Sequence, residues 1–399
     1  MNAAFASVPA LAGLLAAALA GALALQLAQP PRRGAAAVLA ALLPWLALAP
    51  FAWWIARPEG VTPARAALAA ALAVALLARE REDRRQSEAA LKLAWVLGAA
   101  FALAWAGESL LAIAAGTAVS AEQWPALALH LDAYALWGSA LALTLLAGLV
   151  LLGGAPFHFW VADVLHGAPS ALAPLVVAGL QVSGAALLVA RVQGLGEFAA
   201  GVALVGPMLT LCAVVGLVAA AATLATQRRP ERRVGTLASL QGTLVLASLV
   251  AGRADVHALA AWGAHLAVAL TGACALARFL PVSGDAADAP SVLFRRHPLS
   301  GAAGLYALLS LAGVPGTPGV WLWLGTARDL AQTRHVGLLF ALALAWLVAV
   351  AVTVGEARRA FGAPSTLAVP NRTVSPLTRA ALWCAALALA AWMGGALAH

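Results

Sequence analysis

Residues 153–191 read GGAPFHFWVADVLHGAPSALAPLVVAGLQVSGAALLVAR. Two glycines and Pro156 close an apolar run, a polar turn follows with His158, Asp163 and His166, and the apolar phase resumes at Ala171. A proline removes a backbone donor and biases the residue before it away from helix, so this spacing predicts a membrane helix ended or broken at Pro156. Irregular backbone survives inside a bilayer only against protein or water, so a break here marks a protein-lined interior. A second stretch of the same kind, LSLAGVPGTPGVWLW at 309–323, sets Pro315 and Pro318 inside another apolar run.

Working outward, the whole chain is of one character. Of its 399 residues 63% are hydrophobic and 10% charged, with a mean hydropathy of +0.91. Soluble domains carry roughly 25% charged residues, so the composition indicates an integral membrane protein. A hydrocarbon core of about 30 Å takes roughly 20 helical residues per crossing, and the apolar runs divide into about twelve spans. They fall near residues 6–27, 35–56, 64–78, 91–112, 130–153, 171–191, 202–226, 234–251, 256–279, 299–323, 335–355 and 377–397. The expected fold is an all-α polytopic membrane protein, a single transmembrane domain with breaks near Pro156 and Pro315.

The net charge of +8 is a topology signal rather than a nucleic-acid footprint. Arginines gather in the loops, at Arg32 and Arg33, Arg79 to Arg85, Arg228 to Arg233, Arg295 and Arg296, and Arg358 and Arg359. Counting spans puts every cluster on one side, which the positive-inside rule makes cytoplasmic, with both termini on the outer, periplasmic side of a bacterial-type inner membrane. The first span is rich in alanine like a signal peptide, yet it lacks a charged leader and runs into another span, so it is expected to be retained. Cys212, Cys274 and Cys384 lie inside apolar spans without ligand spacing, indicating neither a disulfide nor a metal site.

The motifs also carry a resemblance. PFHFW at 156–160, Asp163, and GAPS at 167–170 resemble the PFHFW-x-PDVY-x-GAPTP signature of subunit N of the proton-pumping NADH:quinone oxidoreductase, respiratory complex I, and its antiporter-like relatives. The helix-break set is Pro156, His158, Trp160, Asp163, Gly167, Pro169, Pro315 and Pro318. Residues 87–92, SEAALK, resemble the family's S-x-EAALKYF run; QRRPERRVGTLASLQG at 227–242 resembles Q-x-x-x-KRLLAYSSI-x-x-G; and 309–323 resembles LSLAGIPPLAGFWGK. The resemblance covers residues 64–360, leaving 1–63 as N-terminal helices without family motifs and 361–399 as a C-terminal loop and helix. On that register the chain begins two helices later than a full-length subunit N.

Counted along these motifs, the family's intramembrane glutamate falls at Ala67 and its three proton-carrying lysines at Leu151, Gln181 and Trp323. A glutamine can hold water or bridge helices, but it does not take up a proton near neutral pH. The remaining intramembrane polar candidates are Glu108, His158, Gln181 and His265. Glu108 is the one carboxylate deep in an expected span, and such a group is a functional candidate unless it lies at the interface. His158 either shuttles protons, as its ordinary pKa near 6.5 allows, or hydrogen-bonds carbonyls freed by the break, the favoured reading. Asp163 is expected to cap the returning helix or pair with an arginine. Arg191 is read as an interface anchor, His265 as bonded to a neighbouring helix. Lys92, the chain's one lysine, is a relay cation or, more simply, a snorkelling residue on the arginine-rich side.

The resemblance implies a membrane-arm subunit of a complex I-type assembly in the lipid bilayer. It has no catalytic, cofactor-binding or metal residues of its own, and is structural or a weak proton conductor because the charged positions are replaced. Partner subunits would hold FMN and iron-sulfur clusters and use NADH and quinone. The alternative is a subunit of a related cation/proton antiporter, membrane hydrogenase or inorganic-carbon uptake module. A stand-alone solute carrier ranks below both.

Overall fold

The computed structural model describes residues 84–117, 123, 125–127, 134–154, 156–168, 173–254, 256–280, 292–361 and 374–397. Expected spans 6–27, 35–56 and 64–78, with Ala67, lie outside the described residues, as does Pro169. The described chain is helical: α1 Arg84–Ala115, α2 Tyr134–Leu152, α3 Phe159–Gly167, α4 Ala173–Gly194, α5 Ala199–Thr226 and α6 Pro230–Val250 come first. Next come α7 Val256–Ala277, the short α8 Val292–Arg296, α9 Pro298–Leu311, α10 Gly319–Gln332, α11 Val336–Ala360 and α12 Pro376–Leu397.

Among the described residues eight helices are long and apolar enough to cross a bilayer, namely α1, α2, α4, α5, α6, α7, α11 and α12. Two differences from the expected spans stand out. The run expected at 299–323 is two helices, and the second continues to Gln332. The run expected to stop at 355 carries on to Ala360, because Glu356 finds partners inside the protein and need not leave the helix. Prolines at the first helical turn of α6 and α9 cost no hydrogen bond, since the first N–H groups of a helix lack an internal partner.

Burial sorts the helices into layers. In their most apolar stretches α4, α6 and α7 are 89% buried, whereas α1 is 22% and α5 28% buried. The three buried helices form the centre, with α2 on α4, α3 and α5 on α6, and α9 and α12 on α7. Their core is Leu, Val and Ala with a few large fillers such as Trp137, Trp160, Trp323 and Phe198. Close approach is set by small residues: a Cβ at Gly235 of α6 would lie 2.5 Å from Ala162 Cα of α3.

Charged contacts fix the sense of each helix. His166, near the end of α3, lies 3.1 Å from Arg229 just before α6. Arg233 at the start of α6 pairs with Glu356 near the end of α11. The starts of α1 and α6 and the ends of α3 and α11 therefore share the arginine-rich end. The broken pair α2/α3 runs toward that end, while α9/α10 starts beside Arg295 and Arg296 and runs away from it. The two broken helices are antiparallel.

Candidate functional site at the two helix breaks

At the first break α2 stops at Leu152 and Gly153 takes a positive φ of 66°. A β-carbon there would be strained, and glycine is the residue that adopts this conformation freely. The turn carries Pro156, and α3 begins at Phe159. A helix that ends in the apolar interior exposes carbonyls whose desolvation must be offset by donors. Trp160 Nε1 donates to Val150 O at 2.8 Å, and Gln181 Nε2 donates to Leu152 O at 2.9 Å and to Ala238 O at 3.1 Å. One amide thus ties α4 to α2 and α6. Gly242 leaves the space, since a Cβ there would come within 2.8 Å of Leu152 O and 3.2 Å of Gln181 Nε2.

The second break repeats the solution. α9 stops at Leu311, Gly313 has φ +70°, and Pro315 and Pro318 lead into α10 at Gly319. Gln241 Nε2 donates to Leu311 O at 2.6 Å and Trp346 Nε1 to Gly313 O at 3.0 Å. A hydroxyl does further work here: Ser310 Oγ accepts from Gly319 N at 3.2 Å and lies 2.9 Å from His265 Nε2. Each break is closed by one glutamine amide and one indole.

The candidates from sequence separate accordingly. Gln181 sits at the first break, and its role is that of a neutral cap. His265, fully buried, bonds a neighbouring helix as expected, and its ring lies 5.5 Å from that of Trp392. His158 corrects an expectation: its Nδ1 has no partner, and the freed carbonyls go to Trp160 and Gln181. What His158 contributes is its own carbonyl, which accepts from Ser239 Oγ at 3.3 Å. Leu151 is buried beside the first break. Trp323 fills the second, stacked on Trp346 with centroids 5.8 Å apart. A Cβ on Gly313 would come within 2.5 Å of Trp323 Nε1, so this indole needs that glycine.

Carboxylates lie away from the breaks and are paired. Glu108 meets Arg191 between α1 and α4 at the arginine-poor end, both largely buried. The anchor expected of Arg191 and the carrier considered for Glu108 are therefore one ion pair. Asp163 sits inside α3 rather than at its start, and pairs with Arg232 at 2.9 Å and Lys92 at 3.4 Å. Lys92 also holds Glu88 at 2.9 Å and is half exposed, as a snorkelling residue should be. Glu356, only 3% exposed, bridges Arg233 and Arg359; it displaces Glu108 as the most deeply buried carboxylate among the described residues.

Sequence reasoning missed Gln241, Ser310, Trp346 and Glu356. The signal for Gln241 was present, as a lone amide in the apolar run that follows the Arg232–Arg233 motif. Among the described residues no group of three or more His, Cys, Asp or Glu side chains could hold a metal ion. Chemically, the breaks can bind backbone carbonyls and position them, and their amides and indoles do not carry protons near neutral pH.

No protein-family profile matches the chain. Among curated proteins it is 30% identical over 281 residues to NADH-quinone oxidoreductase subunit N of Polaromonas naphthalenivorans, covering 66% of this chain and 55% of that protein. The chain spans about half the length, or less, of the curated relatives it matches first. In structure it resembles a chain of respiratory complex I from Thermus thermophilus with bound aureothin: TM-score 0.64, 24% identity, covering 95% of this chain and 90% of that one. It also resembles a chain of the Mrp complex from Dietzia, with TM-score 0.60, 14% identity, and coverage of 79% and 67%.

Proposed function

Since the chain belongs to the antiporter-like family that includes NADH-quinone oxidoreductase subunit N, we propose that it occupies that subunit's place in the membrane arm of a complex I-type assembly. There it serves as a scaffold that conducts protons poorly or not at all. Redox chemistry then resides in partner subunits that carry FMN and iron-sulfur clusters and use NADH and quinone. The arginine-rich end faces the cytoplasm of a bacterial inner membrane, and both termini lie on the periplasmic side.

The observation that carries this reading is Gln181. Where the resemblance places a lysine, a fully buried amide clamps Leu152 O and Ala238 O. The other two described positions hold buried Leu151 and Trp323. Proton transfer needs groups that change charge near working pH, and those positions supply none.

The test is reconstitution of the assembly, comparing the unmodified chain with Gln181→Lys and measuring protons taken up per electron pair. A scaffold lowers the ratio in the unmodified assembly relative to one in which all antiporter-like subunits keep their carriers. A full ratio with the unmodified chain would defeat the proposal. A second reading, a subunit of a cation/proton antiporter module, is favoured by the likeness in fold to the Mrp chain. Copurification with antiporter subunits, and without flavin or iron-sulfur proteins, would select it.

A further inference from the structure

At the arginine-poor end a cavity of about 520 Å³ opens between α6, the turn after it, α7 and α10. Its size falls within the roughly 300–1,000 Å³ of small-molecule sites. The walls are mixed: Leu244, Leu259, Trp262 and Trp321 supply an apolar side, and the cavity reaches in to Ser248 and Thr326, hydrogen-bonded to each other at 2.9 Å. Leu324, 43% exposed, lines the same cavity.

Two of its charged side chains are arginines. Arg253 from the turn and Arg328 from α10 both line the cavity. Both are exposed, and among the described residues neither side chain has a hydrogen bond or ion pair. By contrast Arg191, Arg232, Arg233 and Arg359 are each matched with a carboxylate. Asp329 also lines the cavity, so two arginines and one aspartate leave a net charge of +1. A singly charged phosphodiester on an apolar tail balances that charge and suits the walls. A zwitterionic headgroup leaves the positive charge unmatched.

We propose that this cavity is a binding site for an anionic phospholipid, with the headgroup phosphate on Arg253 and Arg328 and acyl chain against Trp262 and Trp321. The site lies in the leaflet at the arginine-poor end, and it does not depend on the role in an assembly proposed above.

The test uses the whole 399-residue chain in nanodiscs of equal parts phosphatidylglycerol, phosphatidylethanolamine and phosphatidylcholine. Lipid retained after mild detergent extraction is measured by mass spectrometry. Phosphatidylglycerol should be enriched. A basic side chain near an anionic headgroup is worth roughly a factor of five, so Arg253→Gln with Arg328→Gln should cut the enrichment roughly 30-fold. Gly325→Leu keeps both arginines and fills the cavity, since a Cβ there meets nothing within 4 Å; it should abolish the enrichment too. Arg334→Gln, an exposed arginine beyond the end of α10, should leave it unchanged. Equal retention of the zwitterionic lipids, an equal loss with Arg334→Gln, or full binding by Gly325→Leu would overturn the site, the last by showing that only surface charge holds the phosphate.

Discussion

The two helix breaks meet the same physical demand with the same kinds of side chain, yet they are not equally defended. At the first, Gln181 makes two hydrogen bonds, and Trp160 comes from the very helix that the break begins. At the second, Gln241 makes one, Trp346 comes from a separate helix, and Ser310 with His265 supplies the rest. The first break is held by a bridging amide; the second is held by a cluster, plugged by Trp323. Both show that broken backbone inside a bilayer can be satisfied by neutral donors alone. Closing the two breaks therefore needs no charged side chain.

The sharpest way to break the comparison is through the two left-handed glycines. Forcing an L residue into that region costs about 1–2 kcal/mol, and overpacking adds about 1–3 kcal/mol where neighbours cannot move. Gly313→Ala meets the Trp323 ring, pinned against Trp346, so roughly 3 kcal/mol is expected. Gly153→Ala meets a Val161 methyl, which can shift, and should cost nearer 2 kcal/mol. Thermal unfolding in detergent measures both. If Gly153→Ala proves the more damaging, the second break is not the more tightly plugged one.

The amides come next. Gln181→Leu leaves the carbonyl of Leu152 without its donor and removes a second bond to Ala238 O, which keeps its helical partner, whereas Gln241→Leu removes the donor of Leu311 O alone. A buried group left unsatisfied costs about 1–3 kcal/mol, so Gln181→Leu should lose about 2 kcal/mol and Gln241→Leu about 1 kcal/mol. The same unfolding measurement decides it, and the reverse order would mean that Gln181 is no clamp.

The breaks were legible in the sequence because Pro156, Pro315, Gly153 and Gly313 act through their own backbone, whatever surrounds them. The arginine clusters among the described residues mark one common end of the helices for a similar reason, since a charged side chain stays out of an apolar span. Gln181 was found by counting from a motif. What counting could not supply was rotation about each helix axis. In a chain this uniformly apolar, lipid-facing and buried faces differ little in residue type, so the pairing of Gln241 with Leu311, 70 positions away, left no local trace. A span ending at 355 leaves Glu356 out by one residue, and its partner Arg233 reads as loop charge, although the two bind α6 to α11. The chemistry of His158 suits the capping role as well as that of Trp160 does. Chemistry without direction cannot choose between His158 and Trp160, two residues apart in one turn.

The smallest effect concerns one serine at each break, Ser310 in the last turn of the broken helix α9 and Ser239 in the neighbouring α6. Ser310→Ala removes the acceptor of Gly319 N–H and the only described partner of His265 Nε2. Ser239→Ala removes a single longer bond, 3.3 Å, to His158 O. A typical net hydrogen bond is worth about 0.5–1.5 kcal/mol, so Ser310→Ala should cost about 1.5 kcal/mol and Ser239→Ala about 0.5 kcal/mol. Amide hydrogen exchange reads the difference locally. The start of α10 should lose protection in Ser310→Ala while the start of α3 keeps its protection in Ser239→Ala. Equal loss at both would mean that the second break owes nothing to its hydroxyl cluster, and that the glutamine and indole shared by the two breaks already suffice.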